Sequence, residues 1–193
     1  MQEKKEDLRV VKTQRAIKEA FKELVMEKNS SRITVKELAE RAQIHRKTFY
    51  LHYTTIEALF EDVMRETAEQ YYSEIDRLPP DASFSEVNRV FFEFMAKQEP
   101  YIEKMVCDPF YRDFSDKLFM STMIHNRSRY NPYASYSKEE QSIINNFLCV
   151  TSVNIYRQWV SDGKKLPLGD LIELTDKLFV KGISSVRNNS KRI

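Results

Sequence analysis

Residues 34–53 read TVKELAERAQIHRKTFYLHY, and their punctuation decides the architecture. Thr34 followed three residues later by Glu37 is a capping box: the threonine oxygen takes an exposed helical N–H, and the carboxylate reaches back to the cap. A short helix follows to about Ala42. Gln43-Ile44 makes a very short turn, and a second helix spans about His45 to Tyr53. Leu38, Ala39, Ala42, Ile44 and Phe49 form the expected inner face. Ala39 is small enough for the two helices to approach closely. With a preceding amphipathic helix over Leu8 to Glu27, this is the plan of a helix-turn-helix, whose last helix enters the major groove of duplex DNA. That preceding helix carries Val11, Ile17, Phe21, Leu24 and Val25 on one stripe and is broken by Asn29-Ser30-Ser31.

The polar remainder of the last helix has the chemistry such a role needs. Arg46 and Lys47 suit phosphates or guanine edges, Thr48 a phosphate or a thymine methyl, and Tyr50 and His52 either bases or backbone. A basic helix on its own is most simply a solvated face. Here capping box, small residue, turn and basic helix fall in register, which excludes that reading.

Outward from this stretch the chain stays helical. Its 193 residues include only 3 Gly and 6 Pro, and no strand-like alternation or repeat occurs. The fold class expected is all-α, with about nine helices. Thr54 and Thr55 compete to cap a long fourth helix, with Glu57 spaced for a box with Thr54, and the helix ends before Pro79-Pro80. Ser83 with Glu86 opens a phenylalanine-rich fifth helix, and Pro100 and Pro109 bracket a short sixth. A seventh runs from Phe110 to about Arg129. Ser137 with Glu140 opens an eighth to about Asp162, and Gly163 and Pro167 punctuate the start of a ninth, about Leu168 to Val186. A basic, polar tail follows.

Charge is uneven. Residues 1–56 hold 13 Lys+Arg against 8 Asp+Glu, and the remainder carries a net −3. A basic front and an acidic back suit a molecule that offers one end to a polyanion. Met1 to Lys12 has no apolar core of a signal peptide, and no apolar run approaches a membrane span, so a soluble, cytoplasmic protein without a membrane partner is expected. Cys107 and Cys149 lie far apart and read as ordinary thiols in a reducing compartment. His45, His52 and His125 are the only histidines, and all three glycines lie beyond residue 160. Neither a catalytic triad nor a phosphate loop nor a metal cluster can be assembled, so no enzyme, cofactor or metal is expected.

Residues 34–60, TVKELAERAQIHRKTFYLHYTTIEALF, closely resemble the signature of the TetR/AcrR family, and the likeness spans about Gln14 to Phe60. The resemblance implies an all-helical homodimer on a palindromic operator. Its DNA-binding domain is placed at 1–56, and a regulatory and dimerisation domain with a small-molecule pocket at 57–193. Carried over by position, Lys36, Arg46, Lys47, Thr48, Tyr50 and His52 face the groove, and Thr34 and Tyr53 neighbour phosphates. Repression is implied over activation. Three positions depart from the pattern. Gln43 replaces the turn glycine and must bear any left-handed backbone itself. His45 replaces a serine cap and is a weaker one. Ile56 replaces a common lysine, which removes a phosphate contact and lowers the salt slope by roughly one unit. Further on, Val153 to Gly163 and Leu168 to Leu174 resemble the C-terminal part of the dihydroxyacetone-kinase-type regulators within that family: a helix ending in W-x-x-x-G, then an apolar final helix.

The last two helices carry more apolar surface than one face can hold. Ile143, Ile144, Phe147, Leu148, Val150, Val153, Ile155 and Trp159 occupy more than one stripe of the eighth. Leu171, Ile172, Leu174, Leu178, Phe179, Ile183 and Val186 do the same in the ninth. One face then meets the core and another a twin, giving a four-helix bundle across a twofold axis. Phe92, Tyr101, Met105, Phe110, Tyr111, Phe119, Met123 and Trp159 offer material for a pocket between the fourth and eighth helices, although such stripes are usually plain core. The alternative to a small-molecule effector is control by a protein partner, possible for an activator too, with the loop bearing Tyr130, Tyr133 and Tyr136 as its surface.

Overall fold

The computed structural model describes residues 8–28, 33–129 and 131–182. Among them are nine α-helices and no strand. They are α1 Leu8–Glu27, α2 Val35–Arg41, α3 Arg46–His52, α4 Ile56–Ile75, α5 Phe84–Ala96, α6 Pro100–Cys107, α7 Arg112–Arg129, α8 Lys138–Ser161 and α9 Leu168–Lys181. The expected break at Asn29-Ser30-Ser31, Tyr130, Ile183, Val186 and the polar tail lie outside the described residues.

Capping chemistry sets most boundaries. The boxes at Thr34, Ser83 and Ser137 all form, each with its glutamate at the third helical position. At α4 one of the two competing threonines is selected, and the box expected between Thr54 and Glu57 does not form. Thr55, not Thr54, is the cap, and its Oγ1 accepts from the Ala58 N–H at 3.1 Å. A threonine cap reaches the third helical amide, so Thr55 selects Ala58, and Glu57 stands one residue too early to close a box. The start of α7 also differs. Asp108 accepts from the Phe110 N–H at 2.9 Å and opens a 3-10 turn over Pro109–Tyr111 before the α-helix begins. The turn delivers Tyr111 onto Phe60, ring centroids 4.9 Å apart. At the other end, α9 stops at Lys181, because Gly182 takes φ +70°.

A single hydrophobic core runs through the molecule, from Ile17 and Phe21 of α1 through Phe60 and Met64 of α4 to Tyr156 of α8 and Leu171 of α9. Leu38, Ala39 and Phe49 are buried in it as expected, while Ala42 and Ile44 are half-buried. Val11 is not: burial along α1 starts at Ile17, and Val11 is 41% exposed. Arg157 is a buried cross-tie. Its Nε donates to the Val106 carbonyl at 2.8 Å, and one terminal nitrogen reaches Ser115 Oγ at 2.8 Å and Asp116 Oδ1 at 2.7 Å, so α6, α7 and α8 share one guanidinium. The W-x-x-x-G pattern has a local cause. Gly163 takes φ +72° to end α8, and the Trp159 indole N–H donates to the Leu166 carbonyl at 2.7 Å.

Outside the core, α8 and α9 keep a second apolar face. Ile143 is 70% exposed and Val180 60%, and Phe147 meets Phe179 with ring centroids 5.6 Å apart. Burial pushes the thiols of Cys107 and Cys149 up to about 11, so both are unreactive near neutrality. No described helix is long and apolar enough to cross a membrane.

Candidate nucleic-acid interface

The α2–α3 unit is built from its cap inward. Thr34 N–H donates to Glu37 at 3.0 Å, the Glu37 N–H donates back to Thr34 Oγ1 at 3.3 Å, and Lys28 Nζ lies 2.5 Å from Glu37. The Lys28 ammonium, then the Thr34 donors, hold the Glu37 carboxyl down to about 2. The turn closes with Ala42 N–H on the Leu38 carbonyl and Ile44 N–H on the Ala39 carbonyl, both at 2.9 Å. Between them Gln43 takes φ +54°, the left-handed region that its sequence position implied. His45 then caps α3 with extended backbone but no side-chain hydrogen bond.

Phe49 is fully buried and fixes the rotation of α3. A residue two places on lies about 200° around the helix, so Leu51 must point away from the core. It is 83% exposed. Tyr50, Arg46 and Lys47 are exposed as well, as is Lys36 on α2, while Thr48 and His52 are half-buried. Thr34 is exposed, with its hydroxyl engaged in the cap. Tyr53 is different: it is buried beneath α3, and its hydroxyl donates to Asp62 Oδ2 at 2.8 Å. Lys18 Nζ meets the same carboxylate at 2.7 Å, so Asp62 joins α1, the end of α3, and α4. Burial raises the Tyr53 hydroxyl above the ordinary phenol range, and Asp62 raises it further. Burial opposes ionisation of Asp62, yet the Lys18 and Tyr53 hydrogen bonds hold its carboxyl below the usual range. Leu51 is the exposed residue that pattern reading missed, because an apolar residue in a short helix is assigned by habit to the core. The signal was the offset from Phe49.

Several basic groups elsewhere in this head are already neutralised. Arg41 is held by Glu27 at 2.7 Å and by Glu23 at 3.0 Å, Lys28 by Glu37, and Lys18 by Asp62. Among the described residues no ion pair holds Arg46 or Lys47. Their charge is available to an outside anion. Residues 17–63 match the model of the bacterial regulatory proteins of the tetR family.

Over those residues the head is similar to the DNA-binding part of that family.

Solved structures agree with the whole chain in fold. NalD, the secondary repressor of the MexAB-OprM multidrug efflux pump in Pseudomonas aeruginosa, superposes with a TM-score of 0.63 at 16% identity, over 89% of this chain and 95% of that one. The transcriptional regulator FadR from Bacillus subtilis, in complex with stearoyl-CoA, gives 0.62 at 17% identity, covering 88% and 98%. A TerR/AcrR-family transcriptional regulator from Aquifex aeolicus gives 0.54 at 19%, covering 86% and 97%. No curated protein sequence matches the chain.

Two small cavities lie in the body. One of about 20 Å³ sits between α4, α5, α6 and α7, lined by Met64, Phe91, Phe94, Met95 and Phe119 among others. The other, of about 50 Å³, sits between α4, α5, α7 and α8 and includes Tyr71, Asn88, Met123 and Ser152. Of the pocket residues expected from sequence, Phe119 and Met123 line these spaces. Phe92, Met105 and Tyr111 are instead solid core, and Phe110 is exposed. Tyr101 is half-buried, with Lys22 Nζ over its ring at 5.0 Å. In the tyrosine loop, the Tyr133 ring covers the Arg127 guanidinium at 4.9 Å, leaving Tyr136 as the tyrosine of the described loop that is 50% exposed.

Proposed function

We propose that this chain is a tetR-family DNA-binding regulator, a cytoplasmic repressor that binds a palindromic operator as a homodimer and is released by a signal in its body. Residues 1–56 serve as the DNA-binding domain and 57–193 as the regulatory and dimerisation domain. Lys36, Arg46, Lys47, Thr48, Tyr50 and His52 meet the major groove, and Thr34 and Tyr53 stand near the phosphates at either end, Tyr53 through its backbone since its hydroxyl is given to Asp62. The observation that carries this reading is the solvent face of α3, where Arg46 and Lys47 are exposed with no ion pair among the described residues, while Arg41, Lys28 and Lys18 nearby are paired. Leu51, on the same short helix, suits a thymine methyl.

Signal and head are joined mechanically. Helix α4 starts beside α3, is tied to it through Asp62, and forms a wall of both cavities. A ligand that displaces α4 in one protomer changes the separation of two heads that must meet successive major grooves about 34–36 Å apart. A coupling of about 1–3 kcal/mol suffices for control. FadR, bound to stearoyl-CoA, lends support to a small-molecule signal.

Selection of bound sequences from a random duplex library, followed by salt titration of the winner, tests the reading. A palindrome with affinity falling steeply as salt rises is the expected result. Folded protein that selects nothing, or selects a single half-site as a monomer, overturns it.

A further inference from the structure

The larger cavity contains a feature that simple packing does not account for. Asn88 is only 2% exposed, and neither its Oδ1 nor its Nδ2 has a hydrogen-bond partner. Asn126 Oδ1 is likewise buried and unpartnered. Both side chains line the same 50 Å³ space, from α5 and from α7. Three open hydrogen-bonding positions in one mainly apolar cavity are costly unless a guest meets them, because each buried polar atom has given up bulk water. Leucine at position 88 would have nearly the same size and none of this cost. The walls around the pair are mostly aromatic and aliphatic (Phe84, Phe91, Met123, Val153), with Tyr71, Thr122 and Ser152 as hydroxyl-bearing residues, and no Lys, Arg, His, Asp or Glu lines the space.

We propose that Asn88 and Asn126 form the recognition point for an uncharged, mainly apolar effector bearing an amide or lactam group. The inference rests on the small-molecule reading of the body given above. The chemistry follows from the open positions. Asn88 presents a donor and an acceptor side by side, which an amide matches with its own N–H and C=O in a two-bond ring. Asn126 Oδ1 adds one acceptor, which the second N–H of a primary amide satisfies. A carboxylate offers acceptors only and would enter without a cation to meet it. A hydrocarbon would leave all three positions open. The apolar tail has an exit: Tyr71, Phe91, Phe119 and Thr122 line both cavities, and Phe91 and Phe119 meet edge to face with centroids 5.9 Å apart. A tail too long for the 50 Å³ space would have to turn that pair aside to enter the second.

Binding of hexanamide, hexanoate and hexane to the full chain, without DNA, tests the assignment by calorimetry or by ¹H–¹³C spectra of the cavity methionines. Hexanamide should bind and should shift Met64, Met95 and Met123, and both competitors should bind at least about tenfold more weakly for each hydrogen bond lost. Asn88→Leu should fold with a raised melting temperature and bind hexanamide at least tenfold more weakly. Hexanoate or hexane binding as well as the amide overturns the proposal. So does an absence of amide binding to folded wild-type protein, which would make the pair a hydrated structural void. Because operator binding is read separately by duplex selection, failure here leaves that result standing.

Discussion

A single backbone angle shows how far a residue can be held by its neighbours. Gln43 keeps φ +54° because the flanking amides of Ala42 and Ile44 are committed to carbonyls on α2. A side chain in the left-handed region costs about 1 kcal/mol or more, partly offset by the unfolded-state freedom that glycine would add. Gln43→Gly should therefore stabilise the protein by about 0.5–1 kcal/mol, seen as a melting temperature raised by a few degrees; an unchanged or lowered value would mean the turn is not strained. Glu37 offers a second residue-scale check. Its folded carboxyl sits at about 2, below its ordinary value of 4.5, held first by Lys28 and then by Thr34. A lowered folded value means that its contribution is present above the ordinary carboxylate range and disappears as pH falls from about 4.5 towards 2. Carboxyl ¹³C titration should place Glu37 well below 4.5, and a midpoint near 4.5 would show that the cap contributes no such linkage.

Among the elements, the pair α2–α3 was legible because its information is local. The capping box, the short turn and Phe49 all lie within twenty residues, and each acts locally. What was illegible came from distant partners. Tyr53 reads as a surface phenol until Asp62 and Lys18 arrive from two other helices to bury it. The choice between Thr54 and Thr55 turned on one position of helical register, and the split of the expected pocket residues between core and cavity depends on how α5, α7 and α8 pack. Two substitutions test the elements. Tyr50→Ala should weaken operator binding by roughly 1–3 kcal/mol while leaving the fold intact, as for the loss of a base contact; undiminished affinity would remove Tyr50 from the groove-facing set. Asp62→Ala leaves Tyr53 and Lys18 without their shared carboxylate, and should cost about 1–3 kcal/mol of stability. Denaturant unfolding reads the change, and a difference under 0.5 kcal/mol would show that the three-helix tie is dispensable.

At the scale of the molecule, one core from Ile17 to Leu171 means that head and body do not form separate cooperative units. The exposed apolar face of α8 and α9 is where a twin is expected, since Ile143, Phe147 and Val180 together are too apolar to be left in water without a role. Phe147→Glu should shift the sedimentation coefficient from dimer to monomer and, with half the contacts gone, collapse affinity for a palindrome while sparing the helical circular-dichroism spectrum. A variant that still sediments as a dimer would place the interface elsewhere. Trp159 stands beside this face. It is the only tryptophan in the chain, its indole N–H is fixed on the Leu166 carbonyl at 2.7 Å, and it borders the groove that Leu174 and Leu178 line between α8 and α9. The molecule therefore carries its own optical gauge at the α8–α9 junction: every photon excited at the red edge of its absorption reports from that one place, so subunit exchange and effector arrival can be followed by native emission, without a label.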